Sequence, residues 1–175
     1  MSFIRTKKIS GKRYAYLVRN SWKKRTKGSR QKVNKYLGKV ISPEIVKDVD
    51  FFVYYDIKEL ENYLKKTKRE IISDLIEFEL IRYGFEKKER IVVKDMLAFD
   101  LKKGMFIDEE GNEERIVLEV NEGYLCRNTV NSLINFKRKR DEDDERDIGI
   151  RLAKCFLETG LKAPKEVFIA YFHKI

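Results

Sequence analysis

The chain shifts between strand-like and helical spacing of its apolar residues, and these shifts predict where its elements lie. Phe3–Ile9 and Tyr14–Arg19 are short runs rich in β-branched and aromatic residues, separated by the turn-prone Ser10-Gly11-Lys12. A polar stretch from Lys23 to Ser29, with Gly28, then leads into Arg30–Gly38. Three short strands with Gly-containing turns read as a β-meander. Strict alternation places Tyr14, Tyr16 and Val18 on one face of the middle strand, and Ala15 and Leu17 on the other. A segment of roughly forty residues buries little core alone, so the meander is expected to lean on the rest of the chain or to order on its target.

Ser42 and Pro43 have the chemistry of an N-cap and a first helical residue, and they mark the boundary of a second unit. After the apolar Phe51–Tyr55, Asp56 is expected to cap a helix carrying Ile57, Leu60 and Leu64. Thr67 and Glu70 have capping-box spacing and predict a further helix through Ile71, Ile72, Leu75, Ile76, Phe78 and Leu80, stopped at Gly84. From Arg90 the spacing becomes strand-like. Ile91–Val93, Met96–Phe99, Met105–Ile107 and Ile116–Val120 read as a small antiparallel sheet with a hairpin around Gly111. Tyr124–Phe136 is expected to be helical with Leu125, Val130, Leu133 and Ile134 inward. A helix over Asp147–Thr159 should stop at Gly160, and Pro164 opens a last apolar helix. The fold class is therefore α+β: a three-stranded basic β-meander over residues 1–41, then a mixed body over 42–175 with about five helices and the small sheet.

Charge changes this picture most. The net charge is +10, but residues 1–41 hold fourteen Lys or Arg and no Asp or Glu. The other 134 residues carry 25 basic and 29 acidic side chains. All of the surplus lies in the meander, and such asymmetry points to a polyanionic partner, of which phosphate backbones are the common kind. The candidate phosphate contacts are Arg5, Lys7, Lys8, Lys12, Arg13, Arg19, Lys23, Lys24, Arg25, Lys27, Arg30, Lys32 and Lys35. Trp22 and Tyr36 are the candidate aromatics for stacking on exposed bases, while Tyr14 and Tyr16 are read as packing residues.

The runs Tyr14–Asn20, Arg30–Val33 and Lys35–Lys39 resemble the N-terminal arm of DDE-type insertion-sequence transposases, and the opening of stand-alone archaeal proteins of unknown function. The resemblance covers the first forty residues or so and implies DNA contact by the arm. Transposition does not carry over. The chain is too short for the transposase catalytic domain, and no acidic triad on an RNase-H-like pattern can be placed.

Other chemistry is sparse. There is no Walker loop, G-x-G-x-x-G, H-E-x-x-H or G-x-S-x-G motif, and His173, the one histidine, reads as a dipole partner at a helix C-terminus. Cys126 and Cys155 stand apart without a C-x-x-C and are expected as buried reduced thiols. Asp108 and Glu119 are the nearest approach to a nuclease metal pair, but Asn121 stands where a Lys is expected. No catalytic residue, metal or cofactor is assigned. Lys137–Arg140 followed by the acidic run 141–145 reads as a solvated loop, which could also extend the basic footprint or compete with phosphate for the arm. Arg5, Lys7 and Lys8 interrupt any signal-peptide core, and no apolar run approaches about 18 residues, so the chain is expected to be cytoplasmic without a membrane partner. Frequent Lys and Glu with a single Gln resemble thermophile usage. The favoured expectation is a non-enzymatic nucleic-acid-binding protein, DNA ahead of RNA. An RNA-binding protein of a ribosomal particle, a protein–protein adaptor gripping an acidic partner, and a metal-dependent nuclease follow in that order.

Overall fold

The computed structural model describes residues 2–23, 28–138 and 144–175, apart from the side chains of residues 22, 23, 28 and 29. Strands β1 (Ser2–Ile9) and β2 (Lys12–Lys23) form an antiparallel hairpin. Ser10 and Gly11 close it, both at positive φ, which gives the turn the same twist as the strands it joins. Strand β3 (Gly28–Ile41) returns antiparallel to β2, but Leu37 and Asn34 are extra residues in its register. These two bulges bend the ribbon and break the simple alternation of faces.

The end of β3 then enters the body. Lys39, Val40 and Ile41 pair in parallel with Ile116, Val117 and Leu118 of β8 (Ile116–Val120), and β8 pairs antiparallel with β9 (Gly123–Leu125). The result is one five-stranded sheet in the order β1-β2-β3-β8-β9. The meander therefore leans on the rest of the chain. Gly38 makes the junction possible. A Cβ there would lie 2.2 Å from the carbonyl oxygen of Arg115, and the neighbouring Lys39 N–H donates to that same oxygen at 3.0 Å.

The expected hairpin around Gly111 is reduced to a single bridge between Ile107 and Glu113. Strands β4 (Glu86–Lys88), β5 (Ile91–Lys94), β6 (Leu97–Asp100) and β7 (Met105–Ile107) form their own antiparallel sheet, and β8 leaves it. Burial explains the departure. Ile116, Val117, Leu118 and Val120 are all buried, so both faces of β8 need cover, which a central strand has and a hairpin edge lacks.

Three helix starts differ from expectation. Residues 42–50 form no helix, because the Ser42 hydroxyl is bonded to Glu119 and Arg13 instead of capping a backbone N–H. The cap is Asp50, which accepts from the N–H groups of Phe52 and Val53 at 2.9 and 3.1 Å and opens α1 (Phe51–Tyr54). Asp56 sits beyond that turn at φ 46°, and the next helical turn, α2 (Leu60–Tyr63), follows Glu59. Gly123–Leu125 is strand, since Leu125 pairs with Leu118, so α4 (Arg127–Ile134) starts only after Cys126. By contrast α3 (Lys68–Arg82) has the full Thr67–Glu70 capping box. The α5 helix (Glu145–Thr159) ends at Gly160 in the left-handed region, and α6 (Lys165–His173) follows Pro164. Six helices and two sheets among the described residues make the fold α+β.

The main core gathers Leu75, Ile76, Phe85, Phe99, Leu118, Leu133 and Tyr171 from both sheets and the helices. A second, smaller cluster joins Ala15, Leu37, Val40, Val117 and Cys126, with Ile4, Leu17 and Tyr124 against it. Every member belongs to the five-stranded sheet or immediately follows β9, so the sheet covers this cluster with its own side chains. Cys126 is buried and Cys155 half-buried, and neither is in a disulfide.

Candidate nucleic-acid interface

Residues opposite each other in an antiparallel ladder share a face. Arg5 lies opposite Tyr16, Lys7 opposite Tyr14, Lys12 opposite Ile9, Tyr36 opposite Tyr16, and Lys39 opposite Tyr14. One face of the arm thus combines Tyr14, Tyr16 and Tyr36 with Arg5, Lys7, Lys12 and Lys39. Val18 lies among them, 1% exposed, while Ile9 and Val33 remain open to solvent. The other face carries the small apolar cluster, flanked by Lys8, Arg19, Arg30, Lys32 and Lys35. An open hollow of about 400 Å³ there is lined by Arg19, Asn20, Ser21, Lys32 and Asn34, beside the second bulge.

The tyrosines support one another. The Tyr36 ring centroid lies 5.5 Å from that of Tyr16 and 6.3 Å from that of Tyr14, both tilted. The Lys7 ammonium sits 5.6 Å from the Tyr16 ring centre, within cation–π range. Burial, and then the two neighbouring tyrosines, push the Tyr36 hydroxyl above its ordinary pKa, so it stays a neutral donor on a cationic face. Tyr14 and Tyr16 are half-buried, in keeping with packing, and their rings support the half-buried Tyr36. This arrangement can neutralise phosphates with ammonium and guanidinium groups while presenting ring edges and one hydroxyl to a base or sugar.

The sequence candidates divide accordingly. Arg5, Lys7, Lys8, Lys12, Arg19, Arg30, Lys32 and Lys35 are exposed, and Arg5 is hydrogen-bonded to Gln31. Arg13 has a different task. Its guanidinium grips both carboxylate oxygens of Glu119 at 2.6 and 3.0 Å, and it reaches the Ser42 hydroxyl at 3.2 Å. That clamp ties β2 to β8 and takes Arg13 out of the set offered to phosphate. Lys39 belongs to the basic surplus of residues 1–41 but was not among the candidates; the bulge at Leu37 resets the parity of β3 and brings it onto the tyrosine face. Lys24, Arg25 and Lys27 lie outside the described residues, as do the side chains of Trp22 and Lys23.

Residues 139–143 of the basic-then-acidic run are likewise outside the described residues. Of its start, the Lys137 carbonyl accepts from Arg151 at 3.2 Å and the Arg138 guanidinium lies 5.3 Å from the Phe172 ring centre. The Asp108 carboxylate accepts from the Asn112 N–H at 2.8 Å within its own turn, and Glu119 belongs to the Arg13 clamp. Among the described residues no three His, Cys, Asp or Glu side chains gather as metal ligands, and no helix is long and apolar enough to cross a membrane.

No family model, curated protein or solved structure matches this chain. The residues alone carry the functional reading.

The clamp has a pH signature. Hydrogen bonding from Arg13 is the largest influence on Glu119 and holds its carboxyl below the ordinary 4.5; the same bond raises Arg13. A depressed carboxylate pKa stabilises the fold above the unfolded value, and that contribution is lost as pH falls through the folded value. Because the Arg13 side chain is 39% exposed, solvent screening keeps the effect small. Melting temperatures of the wild type and Glu119→Gln should differ at about pH 7 and draw together only as the pH falls below the ordinary 4.5. Curves that keep the same separation throughout would show that the pair does not act as a clamp.

Proposed function

We propose that this protein binds nucleic acid, without catalysing a reaction on it, through its N-terminal arm, and that the α+β body is the platform holding the arm. One observation carries the reading. The face that bears Tyr14, Tyr16 and Tyr36 also bears Arg5, Lys7, Lys12 and Lys39, in a segment with no carboxylate of its own. The polymer favoured is duplex DNA. The resemblance to transposase arms points there, and beyond the end of β1 the strands β2 and β3 continue as a two-stranded ribbon, Asn20–Lys23 paired with Gly28–Gln31, the kind of element the major groove admits. A cytoplasmic setting belongs to this reading.

The second reading is RNA of a ribosomal particle, supported by the half-buried Tyr36, whose ring could meet an unpaired base. Titrating duplex DNA, single-stranded DNA and structured RNA at two salt concentrations separates the two. Duplex DNA should bind most tightly, with log K falling by roughly 0.9 per phosphate contact for each decade of salt. A preference for structured RNA would select the second reading. Salt-independent binding, or none, would overturn both, and co-purification with an acidic protein after nuclease treatment would replace them with the adaptor. Deleting residues 1–41 is a poor control, because it strips β8 of its parallel partner and Glu119 of Arg13. Point variants on the tyrosine face avoid that damage.

A further inference from the structure

We infer that the phosphate track does not end on the arm but continues onto the body, into a cleft lined by Arg69, Arg90, Lys102, Lys103 and Arg127. The inference rests on the arm binding nucleic acid, and the ligand is the sugar–phosphate backbone of that same polymer.

The cleft is open, about 600 Å³, and four separate parts of the fold build it. Arg69 comes from the first turn of α3, Arg90 from the turn between β4 and β5, Lys102 and Lys103 from the turn between β6 and β7, and Arg127 from the start of α4. The single carboxylate in the lining is Asp100, 2% exposed, and it accepts from the backbone N–H of Lys103 at 2.8 Å. Five cations against one occupied carboxylate is the reverse of what the body's composition supplies, since residues 42–175 hold more acidic than basic side chains. Like charges gathered in one hollow repel, and a bound polyanion relieves that repulsion.

The cations are also held in place. Arg69 donates to the Lys102 carbonyl at 3.0 Å, Lys103 donates to the Gly111 carbonyl at 2.7 Å, and Arg127 is paired with Glu113. One bond to a neutral carbonyl leaves the other guanidinium or ammonium protons of Arg69 and Lys103 available. Among the described residues, the side chains of Arg90 and Lys102 make no hydrogen bond or ion pair, and both are exposed. Arg127 connects the two regions. It borders this cleft, and it also lines a small crevice where the arm meets the body, in which Lys35, Arg115 and Arg127 face Tyr36 and two carboxylates, Glu113 and Glu114, the first of them already paired with Arg127. A backbone lying along the arm reaches the cleft by way of Arg127.

The test uses the full chain and duplexes of increasing length, about 8, 16 and 24 base pairs, at two salt concentrations. Three variants are compared with the wild type: Arg90→Ala with Lys102→Ala in the cleft, Lys7→Ala with Lys12→Ala on the arm, and Lys58→Ala with Lys165→Ala elsewhere on the surface. Wild-type affinity should rise with length. The cleft variant should match it on the shortest duplex, lose about tenfold on the longest, and show a salt slope lower by about 2. An unchanged melting temperature excludes misfolding. If the cleft variant matches the wild type at every length while the arm variant binds weakly, the track ends on the arm and this inference falls alone. If the wild type binds no duplex of any length, the duplex-DNA reading of the arm falls and the cleft inference falls with it. A loss of the same size in the distant variant would assign the effect to net charge and overturn the cleft.

Discussion

Replacing Arg5, Lys7, Lys12 and Lys39 together by alanine should weaken binding to duplex DNA by about a hundredfold near physiological salt and lower the salt slope by about 3 to 4. The size follows from counterion release, at about 0.9 of slope per neutralised phosphate. All four side chains are exposed, and their one described side-chain hydrogen bond is that of Arg5 to Gln31. Surface changes of this kind usually alter stability by within about 0.5 kcal/mol each, so the variant should melt close to the wild type. That separates loss of contact from loss of fold. Because phosphate contacts read no bases, affinity should fall equally across sequences. A variant that still binds with the wild-type slope would remove the tyrosine face as the contact surface.

Gly38→Ala should destabilise the protein by about 3 kcal/mol, combining overpacking with local backbone strain. The added Cβ would meet the Arg115 carbonyl oxygen at 2.2 Å, the Arg115 carbonyl carbon at 2.4 Å and the Ile116 nitrogen at 2.9 Å. These are backbone atoms, so no side chain can swing aside. The clash falls where β3 pairs with β8, and separating those strands removes the partner that covers one edge of β8. For a chain of this size the melting temperature should drop by about 6 to 12 °C. Gly11→Ala is the informative companion. Gly11 also has positive φ, but a Cβ there meets nothing within 4 Å, so only conformational strain remains, about 1 kcal/mol. Equal melting of the two variants would mean that the arm's junction is not closely fitted.

Local patterns were legible wherever a local rule decides the outcome. Thr67 and Glu70 cap α3 because the capping box closes within four residues, and Gly160 stops α5 because a positive φ is needed at one position. The meander's strands came from β-branched and aromatic runs between turn residues. Ser42 and Asp56 misled because capping chemistry is shared with other roles. Ser42 has the oxygen of a cap, yet Glu119, 77 residues away in sequence, takes its hydroxyl. The run Ile116–Val120 was recognised as a strand, but its sheet was misassigned. Apolar residues on both faces ask for a central position, and no local signal names the neighbours.

The amino-acid sequence by itself determined the charge division at Ile41, the types of most elements, and the segment on which a functional reading had to rest. Only the tertiary structure decided which cations share a face with the tyrosines, because two bulges in β3 shift parity and bring Lys39 opposite Tyr14. It alone removed Arg13 from the contact set, through a partner 106 residues distant in sequence. It also gathered Arg69, Arg90, Lys102, Lys103 and Arg127, which look unremarkable along a mildly acidic body, into one cleft. Charge totals and short-range periodicity are properties of the chain, whereas the field a polyanion meets depends on which distant side chains folding brings together.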